Sequence, residues 1–364
     1  MSTVVILGLG EVGAAACRYA AKLDTVTALR LGDRDPTRVR SEVGRVGARA
    51  TGHAVDVTNA ASLDAVLSGA DVLLNCVGPY YRFAEPVFEA ALRHGVTYLD
   101  VNDDWEPTLI LLNRNADAER AGVAAMVGMG ASPGVSNLLA ARAMQAVPDA
   151  TSLVTAWRED DPTEGYSAAK EHWLQQCSGT IRTVEAGVLA DMPPLQPVTV
   201  DFPDRGTVEL TTVGHPEPVT LIRRFPGLQT SVNAMACPPA VRATLSRIQA
   251  AIDGGQETPR SAAERFESFK RSGEDTTSLG LPGIFAVARA PSGAQAVTVL
   301  RDYPKGLGPV TAAPLVTALA CYLDGEAVPA GVHAPEDVFD PERFLTRFSA
   351  IAGLEDPCWS LHVG

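Results

Sequence analysis

The first thirteen residues constrain this chain more than any other stretch. Residues 3–7 form a short apolar, β-branched run, and Gly8-Leu9-Gly10-Glu11-Val12-Gly13 follows directly. An uninterrupted apolar run of this length reads as a parallel strand covered on both faces. Beyond it, Val12, Ala15, Ala16, Tyr19, Ala20 and Leu23 recur on one stripe of a helix. The pattern G-x-G-x-x-G between a strand and a helix is the dinucleotide fingerprint. Gly8 permits the tight turn, Gly10 lets backbone approach a pyrophosphate, and Gly13 lets the helix pack close to the strand. The N–H groups of the helix start, at Glu11 and Val12, then face the phosphates at the positive end of the helix dipole.

Strand and helix signals alternate from there. Strands are predicted over residues 25–31, 48–55, 71–77, 97–101 and 123–129. Helices are predicted over 84–94 and 109–121, each stopped by a glycine, Gly95 and Gly122. This is the pattern of a doubly wound parallel sheet. Asp33 follows the second strand at about the offset of a ribose-binding acid. A carboxylate there favours NAD, because it accepts from the ribose hydroxyls and repels a 2′-phosphate. Arg34 and Arg38 are adjacent and keep NADP open. Asp56 and Val57, at the end of the third strand, are placed by the adenine. Asn75, Cys76, Val77 and Gly78, at the end of the fourth, are placed beside the nicotinamide ribose. Cys76 also reads as a small core residue.

The character changes near residue 150. Strands are predicted over 152–158, 196–202, 206–212, 219–224, 229–235, 286–290 and 294–301, with prolines and glycines dense between them. Residues 254–277 are polar and read as a partly helical excursion. Helices return over 312–323 and 341–351. The fold class is therefore α/β: an N-terminal Rossmann doubly wound parallel sheet over residues 1–131, and a second α+β domain over 132–307. That domain is built on a mixed, largely antiparallel sheet, and C-terminal helices (308–364) are expected to return to the Rossmann domain.

The net charge of −13 argues against a nucleic-acid or anionic-membrane partner and points to small molecules. Six dispersed cysteines, without zinc spacing, read as reduced thiols of a cytoplasmic protein, and no metal is expected. No signal peptide and no apolar run long enough to span a bilayer are apparent.

Several segments together resemble the saccharopine dehydrogenase family. They are residues 71–80 (DVLLNCVGPY), Glu85-Pro86-Val87, Tyr98-Leu99-Asp100, and residues 128–137 (GMGASPGVSN). Residues 221–227 (LIRRFPG) and 331–336 (GVHAPE) add to them. The G-x-x-P-G-x-x-N stretch is most similar to the lysine 6-dehydrogenase and carboxynorspermidine dehydrogenase branch. Two departures bear on the substrate: Leu228 replaces a histidine or aromatic, and residues 160–176 match no family pattern. The resemblance implies hydride transfer at a carbon bonded to nitrogen of an amino-acid or imine substrate, in a homodimer.

On that reading, backbone N–H groups near Gly134, after Pro133, face the nicotinamide or a substrate carboxylate, with Asn137 as anchor; the same residues also read as a plain helix start, with Ser132 as its cap and Pro133 in its first turn. Tyr80 covers the nicotinamide or donates a proton, and Asp103 accepts a proton or binds an ammonium group. Arg224 holds a carboxylate in a bidentate fork, and Lys170 and His172 are acid/base candidates. Two other readings stay open: a homospermidine-synthase-like amine transferase that uses bound NAD, and a non-catalytic nucleotide-binding regulator.

Overall fold

The computed structural model describes residues 2–158, 167–266 and 280–364. The chain divides into two compact units: Met1–Val135 with Asp302–Cys358, and Ser136–Arg301 with Trp359–Gly364.

The first unit opens with β1 (Ser2–Leu7), α1 (Glu11–Ala20), β2 (Val26–Asp33), α2 (Pro36–Val46), β3 (Ala50–Ala54) and α3 (Ala60–Leu67). It continues through β4 (Val72–Asn75), α4 (Tyr80–His94), β5 (Thr97–Asp100), α5 (Trp105–Asn113), α6 (Asn115–Ala121) and β6 (Ala124–Met126). Every residue of β4, β5 and β6 is buried, as a parallel sheet covered on both faces requires. The single helix expected over 109–121 is two helices, interrupted at Arg114, whose ψ of 11° leaves the helical range.

The second unit contains α7 (Val135–Ala146), β7 (Ser152–Arg158), α8 (Ala168–Gln176), β8 (Ile181–Glu185), β9 (Val188–Met192), β10 (Pro197–Phe202) and β11 (Gly206–Thr212). It goes on through α9 (Glu217–Arg224), β12 (Thr230–Ala236), α10 (Pro239–Asp253), α11 (Pro259–Arg265), β13 (Ile284–Arg289) and β14 (Gln295–Leu300). Residues 219–224, expected as a strand, lie in helix α9. Pro218 sits in its first turn, Glu217 favours its start, and Arg223 and Arg224 favour its end. Helix α10 was not anticipated. The polar stretch 254–277 contains α11, which buries Ala262 and Ala263, while 267–277 lie outside the described residues.

The tail supplies α12 (Leu307–Leu323), β15 (Gly331–His333), α13 (Pro335–Val338), α14 (Pro341–Ala352) and β16 (Trp359–Val363). Helix α12 packs along α1. The contact is close at Gly308, where a Cβ would lie 2.5 Å from the Glu11 carbonyl oxygen. β15 pairs in parallel with β6 and completes a seven-stranded parallel sheet of order β15-β6-β5-β4-β1-β2-β3. β16 pairs antiparallel with β14 in the other sheet, whose order is β10-β11-β12-β7-β13-β14-β16, with the β8–β9 hairpin off β12. That sheet is mixed: β12 runs parallel to β7, and its other paired strands are antiparallel. Among the described residues, no helix is long and apolar enough to cross a membrane.

Candidate functional site

The three fingerprint glycines are held for different reasons. Gly8 has φ of +84°, and a Cβ there would lie 2.5 Å from the Cys76 carbonyl oxygen. A Cβ on Gly13 would lie 1.9 Å from the carbonyl oxygen of Gly8. The turn cannot close with a side chain at either position. Gly10 differs. Its φ is −70°, and the nearest atom to an added Cβ is Nη1 of Arg38, at 3.8 Å. Nothing in the protein's own packing requires glycine at Gly10, so its bare backbone leaves space for something else. Gly10 also caps α1 without any side-chain hydrogen bond, which leaves the first-turn N–H groups of Glu11, Val12 and Gly13 at a positive helix end. The cradle fits a pyrophosphate.

Asp33 is fixed at the end of β2. Its Oδ2 accepts the Leu9 N–H at 2.6 Å and its Oδ1 accepts the Asp35 N–H at 2.9 Å, so the acid and the glycine turn hold each other. Arg34 is exposed beside it, and Arg38 lies 3.7 Å from Asp35. Exposed Asp56 closes a turn by accepting from the N–H and hydroxyl of Thr58. The Thr58 hydroxyl, more than its N–H, holds the Asp56 carboxyl below the usual range. Val57 is half-buried next to it.

The ends of β4, β5 and β6 are joined by buried polar groups. Asn75 is fully buried; its Oδ1 accepts the Val77 N–H at 3.1 Å, and its Nδ2 donates to the Tyr98 hydroxyl at 3.0 Å. Tyr98 donates to Asp100 Oδ2 at 2.8 Å. Asp100 Oδ1 accepts the Gly128 N–H at 2.8 Å and the Asn102 N–H at 3.1 Å. Desolvation raises the Asp100 pKa to about 6. Half-buried Cys76 and Gly78 continue this turn, and burial pushes the Cys76 thiol well up. Tyr80 begins α4, and its buried hydroxyl donates to the Asn75 carbonyl oxygen at 3.1 Å. Burial raises its pKa far above the usual phenol value. Asp103 is half-buried in the loop before α5. Pro133 and Gly134 lie in the turn after β6, where Gly130 and Gly134 form an isolated bridge. Helix α7 begins only at Val135, so Ser132 and Pro133 precede it rather than capping it.

In the second unit, Arg224 is exposed at the end of α9, with its guanidinium 5.6 Å from the Phe225 ring centre. Lys170 and His172 lie on α8 and are buried; Nζ of Lys170 is 5.5 Å from the Phe266 ring centre. Asn137 is buried and donates to Thr220 of α9 at 3.0 Å, so it anchors α7 to α9. Sequence reasoning missed a buried group in this unit. The Trp157 and His215 rings stack at 5.5 Å, His215 Nε2 lies 3.0 Å from Gln176 Oε1, and His215 Nδ1 lies 3.6 Å from Glu217 Oε2. Glu217 is fully buried and accepts from Ser136 at 2.8 Å. The only sequence signal was an ionisable His-Pro-Glu run between two apolar stretches.

Residues 4–126 match the saccharopine dehydrogenase NADP-binding domain. That model spans the nucleotide-binding sheet from β1 to β6. The domain contains every proposed coenzyme residue from Gly8 to Gly78, together with Tyr80 and Asp103; Pro133, Gly134 and Arg224 lie beyond it. A human saccharopine dehydrogenase-like oxidoreductase is 39% identical over 94 residues, 25% of this chain and 20% of that protein. The cattle counterpart is 45% identical over 49 residues, 14% of this chain and 11% of that protein. The matches thus span a fifth or less of these curated relatives. Apo saccharopine dehydrogenase (L-Glu forming) from Saccharomyces cerevisiae shares the fold over 100% of both chains, with a TM-score of 0.69 at 13% identity. Homospermidine synthase from Legionella pneumophila, solved in complex with NAD, shares it over 100% of this chain and 91% of that one, with a TM-score of 0.69 at 11% identity. The saccharopine dehydrogenase fold therefore extends across both units.

Proposed function

We propose that this chain is an NAD(P)-dependent oxidoreductase acting on the carbon–nitrogen bond of an amino-acid-like amine or imine. The observation that carries this reading is the open backbone at Gly10, within a domain of the saccharopine dehydrogenase type. Residues Gly8 to Gly13 hold the pyrophosphate, Asp33 with Arg34 the adenosine ribose, Asp56 and Val57 the adenine edge, and Asn75 to Gly78 the nicotinamide ribose. Gly134 offers a backbone N–H, and Pro133 shape, at the reacting end. The coenzyme supplies or accepts the hydride when bound. Tyr80, with its hydroxyl held on the Asn75 carbonyl, forms a fixed wall. Asp103 manages the proton on nitrogen. Arg224 takes a substrate carboxylate, with Lys170 and His172 as further acid/base groups.

Turnover of NADH or NADPH with candidate cyclic and open-chain imines, followed by coenzyme absorbance, tests this directly. Asp103→Asn should lower kcat on the order of a hundredfold with little change in coenzyme Kd; an unchanged kcat removes Asp103 from the chemistry. Coenzyme that co-purifies and never exchanges with the pool, during net amine transfer, would support the homospermidine-synthase-like reading instead.

Asp33 favours NAD, and Arg38, whose guanidinium approaches Gly10, offers a charge for a 2′-phosphate. Arg38→Ala is therefore expected to raise the NADPH KM about tenfold and the NADH KM less than about twofold. Equal changes in both would show that Arg38 does not read the 2′-position.

A further inference from the structure

We infer that Asp100 is a positioning residue that sets the two coenzyme-facing turns, after β4 and after β6, relative to each other. The inference rests on the proposed coenzyme site, because it concerns what holds that site in shape.

Asp100 ends β5 and is fully buried. Its main-chain oxygen accepts the Met129 N–H at 2.8 Å, and its Oδ1 accepts the Gly128 N–H at 2.8 Å. Main chain and side chain together therefore grip two successive amides of the turn that leads to Pro133 and Gly134. On the other side, Oδ2 receives the Tyr98 hydroxyl, Tyr98 receives Asn75 Nδ2, and Asn75 Oδ1 receives the Val77 N–H. One chain of donors and acceptors runs from the turn at Val77–Tyr80 to the turn at Gly128–Gly134, and the Asp100 carboxylate is the acceptor where the two halves meet. An edge-to-face contact between Phe88 and Tyr98, with ring centres 5.4 Å apart, locks the Tyr98 ring in that chain. A carboxylate suits the position. Three donors, from Tyr98, Gly128 and Asn102, converge on one side chain, and only an ionised carboxylate accepts all of them without offering a competing hydrogen.

The protonation state of Asp100 therefore matters. A proton on Oδ2 reverses the bond to Tyr98. The Tyr98 hydroxyl then accepts from both Asn75 and Asp100, and its own hydrogen loses its acceptor. The titratable groups facing Asp100 are Cys76 from the end of β4, Tyr80 from α4, Tyr98 from β5 and Asp103 from the following loop. The thiol and both phenols have raised pKa values and stay neutral, so Asp103 is the one charge among these groups that disfavours ionisation of Asp100. With its pKa at about 6, Asp100 changes state just below neutrality.

Asp100→Asn mimics the protonated form at constant shape, and Tyr98→Phe removes the hydroxyl while keeping the ring. Coenzyme binding is read by fluorescence titration with NADH and NADPH, and turnover by initial rates at several pH values. In the unmodified protein, coenzyme KM should rise as pH falls through about 6. Asp100→Asn should raise coenzyme Kd about tenfold at neutral pH, change kcat at saturating coenzyme less than about twofold, and abolish the pH dependence of KM. Tyr98→Phe should raise Kd several-fold. A variant Kd within about twofold, with the pH profile retained, would overturn the inference. Amide hydrogen exchange at Gly128 and Met129 supplies a readout that needs no coenzyme. It should accelerate at least tenfold in Asp100→Asn, and unchanged exchange would equally overturn the inference. Failure of the unmodified protein to bind either coenzyme would strike the proposed function instead, and the exchange result would still decide the role of Asp100.

Discussion

Replacing Gly10 with alanine is expected to cost about 4 kcal/mol of coenzyme affinity, roughly a thousandfold in Kd, and to leave the protein folded. The added methyl group meets only Arg38 Nη1, at 3.8 Å, and Gly10 has a backbone conformation open to any residue. Alanine is a weaker helix cap than glycine, but it also restricts the unfolded chain, and these effects offset each other to within about 1 kcal/mol. A pyrophosphate seated on the bare backbone would have to move away from the methyl and lose about two charge-assisted N–H bonds. Gly13→Ala should behave in the opposite way. Its methyl would overlap the Gly8 carbonyl oxygen at 1.9 Å, so loss of fold precedes any effect on binding. Thermal unfolding and coenzyme titration of the two variants side by side make the comparison. If Gly10→Ala binds NADH and NADPH normally, the pyrophosphate does not lie over Gly10, and the hydride-transfer reading loses its basis.

The second large effect concerns stability against pH. Burial pushes the Asp100 carboxyl up to about 6 in the folded protein, from the ordinary aspartate value of 3.8. A carboxyl group whose pKa is raised by folding binds its proton more tightly in the native state. Its contribution is therefore most favourable below about pH 4 and is lost as pH rises through about 6. The shift of about two units corresponds to about 3 kcal/mol. Asp35, Asp56, Asp64 and Asp117 are shifted downward and act in the opposite sense, so the total curve mixes the two. The difference between the unmodified protein and Asp100→Asn isolates the Asp100 part. Urea unfolding should show the variant gaining about 3 kcal/mol relative to the parent between about pH 4 and about pH 7. A flat difference over that range would mean that Asp100 titrates normally.

The coenzyme side of the molecule was legible in the sequence because its signals are local. A strand, three glycines and an amphipathic helix lie within one short segment, and Asp33 follows at a spacing set by the βαβ unit. The second unit was harder because its signals compete. Val219, Thr220, Leu221 and Ile222 have strand propensity, yet Pro216, Glu217 and Pro218 start a helix there, whose first five residues are all buried. The β8–β9 hairpin turns at Ala186 and Gly187, both with positive φ. Such a turn usually begins with asparagine or aspartate, and alanine gave no warning. The group of half-buried Trp157 with buried His215, Gln176 and Glu217 comes from β7, α8 and the start of α9 with the segment leading into it, so its members meet only in three dimensions. Tyr98 and Asp100 stood out only as part of a family-like segment at the end of a strand, ahead of an acidic loop. Their role comes from the Gly128 amide, which approaches from the next strand's turn.

The seventh strand of the nucleotide-binding sheet and the helix covering α1 come from residues after 301, which bears on how the chain is made. A ribosome releases residues 136–301 before it releases β15 and α12. The nascent N-terminal segment must therefore wait, with the edge of β6 and one side of α1 uncovered, until His333 has emerged. A fragment ending at Val135 would carry that open edge permanently and would be prone to self-association.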